Sequence, residues 1–187
     1  LDIDNKLWLT LKTLIINPGE LTKEFSQGKR VKYTPPLRLY LVISIVFFIL
    51  FTGIYEMSGN SQNKSSPVGD YYAKAMFVLF PVFALLVQLF FKKSFYIYNL
   101  VFSMHIHSFT YLCLILIAPL EALEHTYPML IILQPPLAIY LAWYIFTAFK
   151  SVFDLTWPST IMKASAIYLI YMAVLGIVFD AAFAYLV

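Results

Sequence analysis

The sequence predicts an all-α polytopic membrane protein, with five transmembrane helices preceded by two short amphipathic helices at the membrane interface. Of its 187 residues, 61% are hydrophobic and only 12% are charged, whereas a soluble domain has about 45–50% apolar and about 25% charged residues. The apolar residues form five runs, and each is close to the ~20 residues that cross ~30 Å of hydrocarbon. We therefore predict an interfacial segment over residues 1–36 and a transmembrane domain over residues 37–187.

The first predicted helix carries leucines at helical spacing. Leu7, Leu11 and Leu14 recur on one face, and Trp8 lies beside them. A short helix with such a face is suited to lying in the membrane interface. The same face could equally pack against the protein's own transmembrane helices, and the sequence leaves both positions open.

A second short helix is predicted directly after the first. Asn17 is a suitable helix cap and Pro18 suits the first helical position. Gly28 fits the C-terminal stop, since glycine adopts the left-handed conformation found there. A basic turn follows, and Thr34-Pro35-Pro36 is expected to cap and open the next helix.

The five apolar runs alternate with polar connectors. They cover residues 37–54, 71–91, 95–118, 128–149 and 164–186. Pro81 and Pro135-Pro136 fall inside the second and fourth runs, where proline is expected to kink or break a helix. Residues 58–70 and 150–163 are predicted to be loops.

The positive charges predict the orientation in the membrane. Of the 13 lysines and arginines, only Lys64 and Lys74 lie outside residues 1–38, the turn at Lys92-Lys93 and the 150–163 connector. Cytoplasmic connectors are enriched in Lys and Arg. The N-terminus is therefore predicted to be cytoplasmic, and five spans then place the C-terminus outside.

The basic turn is the predicted lipid-binding site. Four cations precede the first apolar run, namely Lys29, Arg30, Lys32 and Arg38. Each cation near an anionic membrane surface contributes about 1 kcal/mol to binding, so anionic lipids are the expected partners. The cluster could alternatively serve only to set the topology, and the two roles are compatible.

Polar residues within an apolar span need a partner or a function, because burying them in lipid is costly. The third run carries a polar stripe at spacings of four, four and three residues: Asn99, Ser103, His107 and Thr110. His105 lies about 200° around the helix from His107, so the two imidazoles cannot chelate one ion from a regular helix. The stripe is expected to face other helices.

Asp180, in the fifth run, completes the predicted intramembrane polar site of Asn99, Ser103, His105, His107 and Asp180. Its carboxylate could pair with a histidine or reach the outer interface. Gln88 and Gln134 are expected to form hydrogen bonds between helices. With one cysteine in the chain and no nucleotide-binding loop or nucleophile motif, neither a metal, a cofactor nor a catalytic residue is predicted.

Two functions are compatible with these features. The first is a non-enzymatic membrane protein that organises lipids or partner proteins, which include a second copy of the chain. The alternative is a transporter or channel for a small solute, ion or proton that uses the polar stripe. A lipid-directed enzyme would require His105, His107 and Asp180 to converge. No nucleic-acid partner is predicted, because the membrane accounts for the basic cluster.

The motif around the basic turn resembles that of a known family. Gly28-Lys29-Arg30, Tyr33 and Pro35-Pro36-Leu37-Arg38 form a G-K-R-x-x-Y-x-P-P-L-R pattern similar to that of bacterial integral membrane proteins catalogued as a domain of unknown function. The histidine segment over residues 101–109 also resembles that family. The resemblance implies the bacterial inner (cytoplasmic) membrane and no particular activity. Its members often carry a cysteine zinc ribbon ahead of the membrane part, so we expect a segment to precede Leu1.

Overall fold

The structure, a computed structural model, describes residues 2–57, 67–124 and 127–186, and its regular structure there is entirely helical. Seven α-helices are present in these ranges: α1 (Asp2–Ile16), α2 (Glu20–Ser26), α3 (Pro36–Met57), α4 (Pro67–Phe90), α5 (Tyr96–Glu124), α6 (Gln134–Val152) and α7 (Trp157–Leu186). A 3₁₀ helix, Pro128–Leu133, leads into α6. The all-α prediction is confirmed. Residues 58–66 of the predicted 58–70 loop lie outside the described residues, and residues 67–70 belong to α4 instead of a loop.

Three helical stretches in the described part of the chain are long and apolar enough to cross a membrane. They are Tyr96–Leu120, Met129–Val152 and Trp157–Val178, and Pro36–Phe51 and Phe77–Phe90 are shorter apolar helices. An apolar helix of about 20 residues matches the thickness of the hydrocarbon layer. These lengths indicate a membrane protein.

Two helix boundaries next to prolines differ from those predicted from the sequence. Pro135-Pro136 lies in the first turn of α6, where the missing N–H groups would have no helical partner in any case. The fourth run is therefore a 3₁₀ helix followed by an α-helix. The predicted 150–163 loop was too long, because Pro158 similarly occupies the first turn of α7 and the connector is confined to residues 153–156.

Helix α5 is the central element of the bundle. In an 18-residue window of its candidate span 61% of the residues are buried, against 11% and 17% in the corresponding windows of Met129–Val152 and Trp157–Val178. Every residue from 101 to 109 is buried. The ring of Phe109 stacks on that of Tyr144 at a centroid distance of 3.4 Å, and Phe102 meets Phe149 edge-on at 4.8 Å. Both histidines of α5 therefore lie at the centre of the molecule.

The N-terminal segment packs against the longer helices. The hydroxyls of Tyr144 and Tyr140 in α6 donate hydrogen bonds of 2.6 and 3.0 Å to the carbonyls of Leu14 and Ile15. These carbonyls lie in the last turn of α1, where a helix has no acceptor partners of its own. Leu14 is 1% exposed. The structure thus shows α1 packed on the protein's own helices, a position that is compatible with the predicted one in the membrane interface.

A glycine turn fits the N-terminal segment closely against α6. Gly19, rather than Asn17, is the N-cap of α2, at φ 83°, and Pro18 precedes the helix instead of opening it. A Cβ at Gly19 would lie 2.8 Å from Cγ2 of Val152 and 3.1 Å from the carbonyl oxygen of Ala148. The approach of two backbones and the positive φ both favour glycine here, and this explains the displaced helix start.

Candidate functional site

The basic turn is formed by a left-handed stop at the end of α2. Gly28 has φ 82°, its N–H donates to the carbonyl of Phe25, and the N–H of Lys29 donates to that of Glu24. This pair of bonds is the Schellman arrangement at a helix C-terminus. The predicted stop at Gly28 is confirmed, and the reversal directs residues 29–35 back along α2.

Glu24 holds the cations of the turn in place. Its side chain is 10% exposed, and its two carboxylate oxygens lie 3.2 Å from Nζ of Lys29 and 3.4 Å from Nζ of Lys32. A hydrogen bond from Tyr33, followed by those from the two lysines, lowers the pKa of Glu24 against the opposing effect of burial. One carboxylate therefore organises two of the four predicted lipid-binding cations.

The two arginines lack a carboxylate partner among the described residues. The guanidinium of Arg30 lies 4.5 Å from the ring centroid of Phe25, a cation–π contact that orients the side chain and leaves its donors available. Arg38 is exposed in the first turns of α3. All four predicted cations thus belong to the junction between α2 and α3, and two of them, Lys29 and Lys32, pair with one carboxylate.

A cleft of about 260 Å³ opens between this turn and the bundle. We call it the basic cleft; its lining residues are Leu21, Phe25, Lys29, Arg30, Tyr33, Thr34, Pro35, Pro36 and His105. The cations come from the turn and the apolar walls from α2 and the start of α3. His105 is the contribution of the central helix, so the cleft joins the N-terminal segment to the bundle.

His105 is held in this wall by α2. It is 6% exposed, and its Nδ1 lies 2.9 Å from Oγ1 of Thr22. Its Nε2 has no protein partner in the part of the chain that the structure describes. A hydroxyl beside an imidazole is also the spacing of a nucleophile and its base. Thr22, however, is 0% exposed and does not line the cleft, so its hydroxyl serves to fix the imidazole.

His107 has a different environment although it is two residues away. Its Nδ1 lies 2.8 Å from the carbonyl oxygen of Ser103, and its Nε2 lies 2.9 Å from the hydroxyl of Tyr171 in α7. A carbonyl only accepts, so Nδ1–H donates, and in a neutral imidazole Nε2 accepts the Tyr171 proton. The edge-on ring of Phe83 lies 5.3 Å away. Both nitrogens are thereby used within the helix bundle.

The rest of the polar stripe joins α4 to α5. Nδ2 of Asn99 donates to Oε1 of Gln88 at 2.6 Å, and Oγ of Ser94 donates to Oδ1 of Asn99 at 2.5 Å. Oγ of Ser103 donates to the carbonyl of Phe80 at 2.6 Å. The predicted hydrogen bonding of Gln88 between helices is confirmed, whereas Nε2 of Gln134 is buried without a partner among the described residues.

The predicted intramembrane residues form three groups and not one site. Asn99, Ser103 and His107 share the stripe, while His105 faces the basic cleft. Asp180 is exposed on α7, nine residues or ~14 Å along the helix beyond the Tyr171 partner of His107. No cluster of three potential metal-ligating side chains occurs within the described ranges.

Three residues that the sequence did not single out complete these arrangements: Thr22, Glu24 and Tyr171. Glu24 carried one usable signal, since it is the acidic residue nearest to the four cations. Thr22 and Tyr171 carried none, because their partners lie 83 and 64 residues away along the chain.

Comparison with known proteins yields one partial match. A family model described as a protein of unknown function (DUF3667) matches residues 4–48. This range contains most of α1, α2, the basic turn and the first part of α3, and excludes the histidine segment. Neither the curated proteins nor the solved structures gave a match. The chain is thus similar over its N-terminal quarter to an uncharacterised family, and that quarter supplies most of the basic cleft.

Proposed function

We propose that this is a non-enzymatic protein of the bacterial inner membrane that organises lipids or partner proteins, and that its basic turn binds anionic lipid headgroups at the cytoplasmic leaflet. The basic cleft is the observation that carries this proposal. It combines cationic side chains with apolar walls directly before the first apolar helix. Such a combination suits a molecule with a charged head and an apolar body.

The proposed topology has five spans, with the N-terminus inside and the C-terminus outside. Three long apolar helices support it, and α3 and α4 would supply the two others. The cation distribution supports the orientation. The junction between α2 and α3 then lies at the cytoplasmic surface, where anionic headgroups are available.

Charge and exposure around the turn both favour lipid over water-soluble anions. The turn carries Lys29, Arg30 and Lys32 but one carboxylate, Glu24, which pairs with the two lysines, so a net positive charge remains for a ligand. Val31 and Leu37 are 80% and 46% exposed on either side of this charge. Apolar side chains beside cations are typical of segments that enter the headgroup region. An adjacent bilayer would cover these side chains and supply the anion.

The transport alternative has less support from the polar stripe. Asn99, Ser103 and His107 are buried, and each is hydrogen-bonded to a neighbouring helix or to its own. Hydrogen bonds of this kind hold membrane helices together. The stripe is therefore better explained as part of the bundle's interior than as the lining of a pathway.

Neutralising the cations of the cleft tests the proposal. Removal of two cations that each contribute about 1 kcal/mol should weaken binding about 30-fold. We expect this loss of phosphatidylglycerol binding for Lys29→Gln/Arg30→Gln in nanodiscs, measured by native mass spectrometry of retained lipid. Lys92→Gln/Lys93→Gln is the matched control, since it removes the same charge from a turn that does not line the basic cleft. A topology reporter checks that both variants keep their orientation.

The Lys92→Gln/Lys93→Gln control distinguishes lipid binding at a specific site from general electrostatic attraction to the membrane surface. We expect the Lys92/Lys93 variant to lose less than threefold in affinity. Equal losses in the two pairs would show that charge acts without a specific site. Unchanged binding in the Lys29/Arg30 variant would refute the proposal.

A further inference from the structure

The basic cleft contains one group that charge attraction does not explain. His105 comes from the most buried helix, yet it lines the cleft and its Nε2 has no protein partner among the described residues. The side chain is 94% buried, as its 6% exposure shows. Nε2 is not among the fully buried atoms without a partner in the described part of the chain, so it is accessible from the cleft and can form a hydrogen bond with what occupies it. The group therefore points to a ligand that enters past the cations.

The size of the cleft restricts that ligand. A volume of about 260 Å³ corresponds to roughly nine water molecules at ~30 Å³ each. Pockets for drug-sized molecules begin at about 300 Å³. One phospholipid headgroup fits within the cleft, and its acyl chains must remain outside it.

The chemistry of the lining restricts the headgroup further. Lys29 and Arg30 supply ammonium and guanidinium donors, and the planar guanidinium suits phosphate oxygens in particular. None of the nine lining residues is a carboxylate. Glu24, beside the cleft, is already paired with Lys29 and Lys32, so a headgroup amine, as in phosphatidylethanolamine or phosphatidylserine, would find no free counter-charge.

The hydrogen-bonding capacity of His105 indicates which further group the lipid headgroup carries. Nδ1 faces the hydroxyl of Thr22, so Nε2 is either a donor or an acceptor according to the tautomer. An alcohol both donates and accepts, and it satisfies either form. Thr22 is then a positioning residue, because it fixes the ring that meets the ligand.

We propose that the basic cleft selects an anionic phospholipid whose headgroup ends in a hydroxyl and carries no amine, with Lys29 and Arg30 on the phosphodiester and His105 on the hydroxyl. The proposal rests on the proposed function, since it assumes a lipid at the turn. It goes further by assigning a selective role to a residue of the central helix.

A pair of anionic lipids with and without headgroup hydroxyls provides the test. Phosphatidylglycerol and phosphatidylethanol carry the same charge, but the second has no headgroup hydroxyl. A single hydrogen bond should give about a fivefold preference for phosphatidylglycerol, measured by competition in nanodiscs that hold the full chain. Phosphatidylserine should bind more weakly than phosphatidylglycerol, because its amine has no partner.

Variants of the two histidines assign the preference to a residue. His105→Leu should abolish the fivefold preference while anionic lipids as a class still bind. His105→Gln should restore part of the preference, because its amide can donate and accept. His107→Gln is the matched control on the same helix and should keep the preference unchanged. If His105→Leu does not fold, Thr22→Val replaces it and should reduce the preference by releasing the ring.

The outcomes separate this inference from the proposed function. Equal binding of the two lipids by the unaltered protein, or a full preference in His105→Leu, would overturn the inference even if Lys29→Gln/Arg30→Gln still loses lipid. Insensitivity to the cation variant would overturn the proposed function itself. Soluble glycerol phosphate that binds as tightly as the lipid would overturn the assignment to a lipid.

Discussion

His105 and His107 are two residues apart on one helix and have unlike surroundings. Two residues turn an α-helix by about 200°, so the imidazoles point to opposite sides of α5. His107 meets Tyr171 of α7 and its own helix, which uses both ring nitrogens. His105 meets Thr22 of α2 and keeps one nitrogen for the basic cleft. The first ring joins helices, and the second is available to a ligand.

The comparison shows how one helix can serve two purposes. The side of α5 with His107 faces α4 and α7, where the aromatic rings of Phe83 and Tyr171 fill the space around it. The side with His105 faces the N-terminal segment, which folds back from the basic turn. Burying a histidine inside a membrane costs free energy. Hydrogen bonds and packing within the bundle offset this cost for His107, and an opening to the basic cleft offsets it for His105.

The largest effect is expected where the N-terminal segment meets α6. Gly19→Ala adds a left-handed strain of about 1–2 kcal/mol to an overpacking cost of about 1–3 kcal/mol, because the new Cβ would lie 2.8 Å from Val152. Steric-trapping measurements in bicelles should show a loss of about 2–5 kcal/mol in unfolding free energy. We also expect weaker lipid binding at the basic cleft, since α2 forms one wall.

Gly28→Ala is the matched control for this change. Gly28 has nearly the same φ, 82°, but a Cβ there would meet nothing within 4 Å. Only the backbone strain of about 1–2 kcal/mol should remain. Equal destabilisation by the two variants would show that the contact between Gly19 and α6 does not hold the segment.

The second-largest effect is expected for the hydrogen bonds of the two histidines, which double-mutant cycles compare directly. A double-mutant cycle of His107→Leu and Tyr171→Phe should give a coupling of about 0.6–1.7 kcal/mol, between the average and the maximum found for hydrogen bonds between membrane helices. The cycle of His105→Leu and Thr22→Val should give a smaller coupling. The hydroxyl of a helical threonine can bond to a carbonyl four residues earlier once its partner is lost, which offsets part of the cost.

Tyr168→Phe is the control for the first cycle. Tyr168 lies one turn from Tyr171 and touches Phe83, but it has no hydrogen-bond partner among the described residues. Its coupling to His107→Leu should be near zero. A larger coupling in the His105 cycle than in the His107 cycle would contradict the division between a structural and a ligand-facing histidine.

The sequence predicted the features that depend on local chemistry. Gly28 marked the end of α2 because a left-handed residue is needed there, and Pro36 marked the start of α3. The spacing of Asn99, Ser103 and His107 placed them on one stripe, since helical geometry alone decides it. Pro135 misled the prediction because the same residue can break a helix or begin one, and only the neighbouring fold decides which.

The cleft could not be predicted because it depends on contacts between distant segments. Thr22 and His105 are 83 residues apart, and Tyr144 and Leu14 are 130 apart. A threonine in a short helix gives no sign of its partner in the sequence. Asp180 was grouped with the histidines because it is ionisable within an apolar run, but position along α7 separates it from them.

The smallest effect is expected when acidification protonates the carboxylate of Glu24. Hydrogen bonds from Tyr33 and then the two lysines keep its pKa below the ordinary value, so its contribution to stability is complete above that ordinary value. The contribution is lost as pH falls through the lowered pKa of the folded state. Protection factors over residues 24–33, which correct for the slower intrinsic exchange in acid, should therefore fall about two- to fivefold on acidification, since the lysines are half exposed and such pairs are weak.

Glu24→Gln should remove this pH dependence and raise the exchange rate of the turn at neutral pH. Glu20→Gln is the control, because Glu20 lies on the same helix without an ion pair in the described part of the chain. The change at Glu24 also removes the carboxylate that competes with a lipid phosphate for Lys29 and Lys32. Anionic lipid binding should therefore increase while the turn becomes less protected. Weaker lipid binding in Glu24→Gln would mean that the cleft needs the carboxylate to position its cations more than it needs the extra charge.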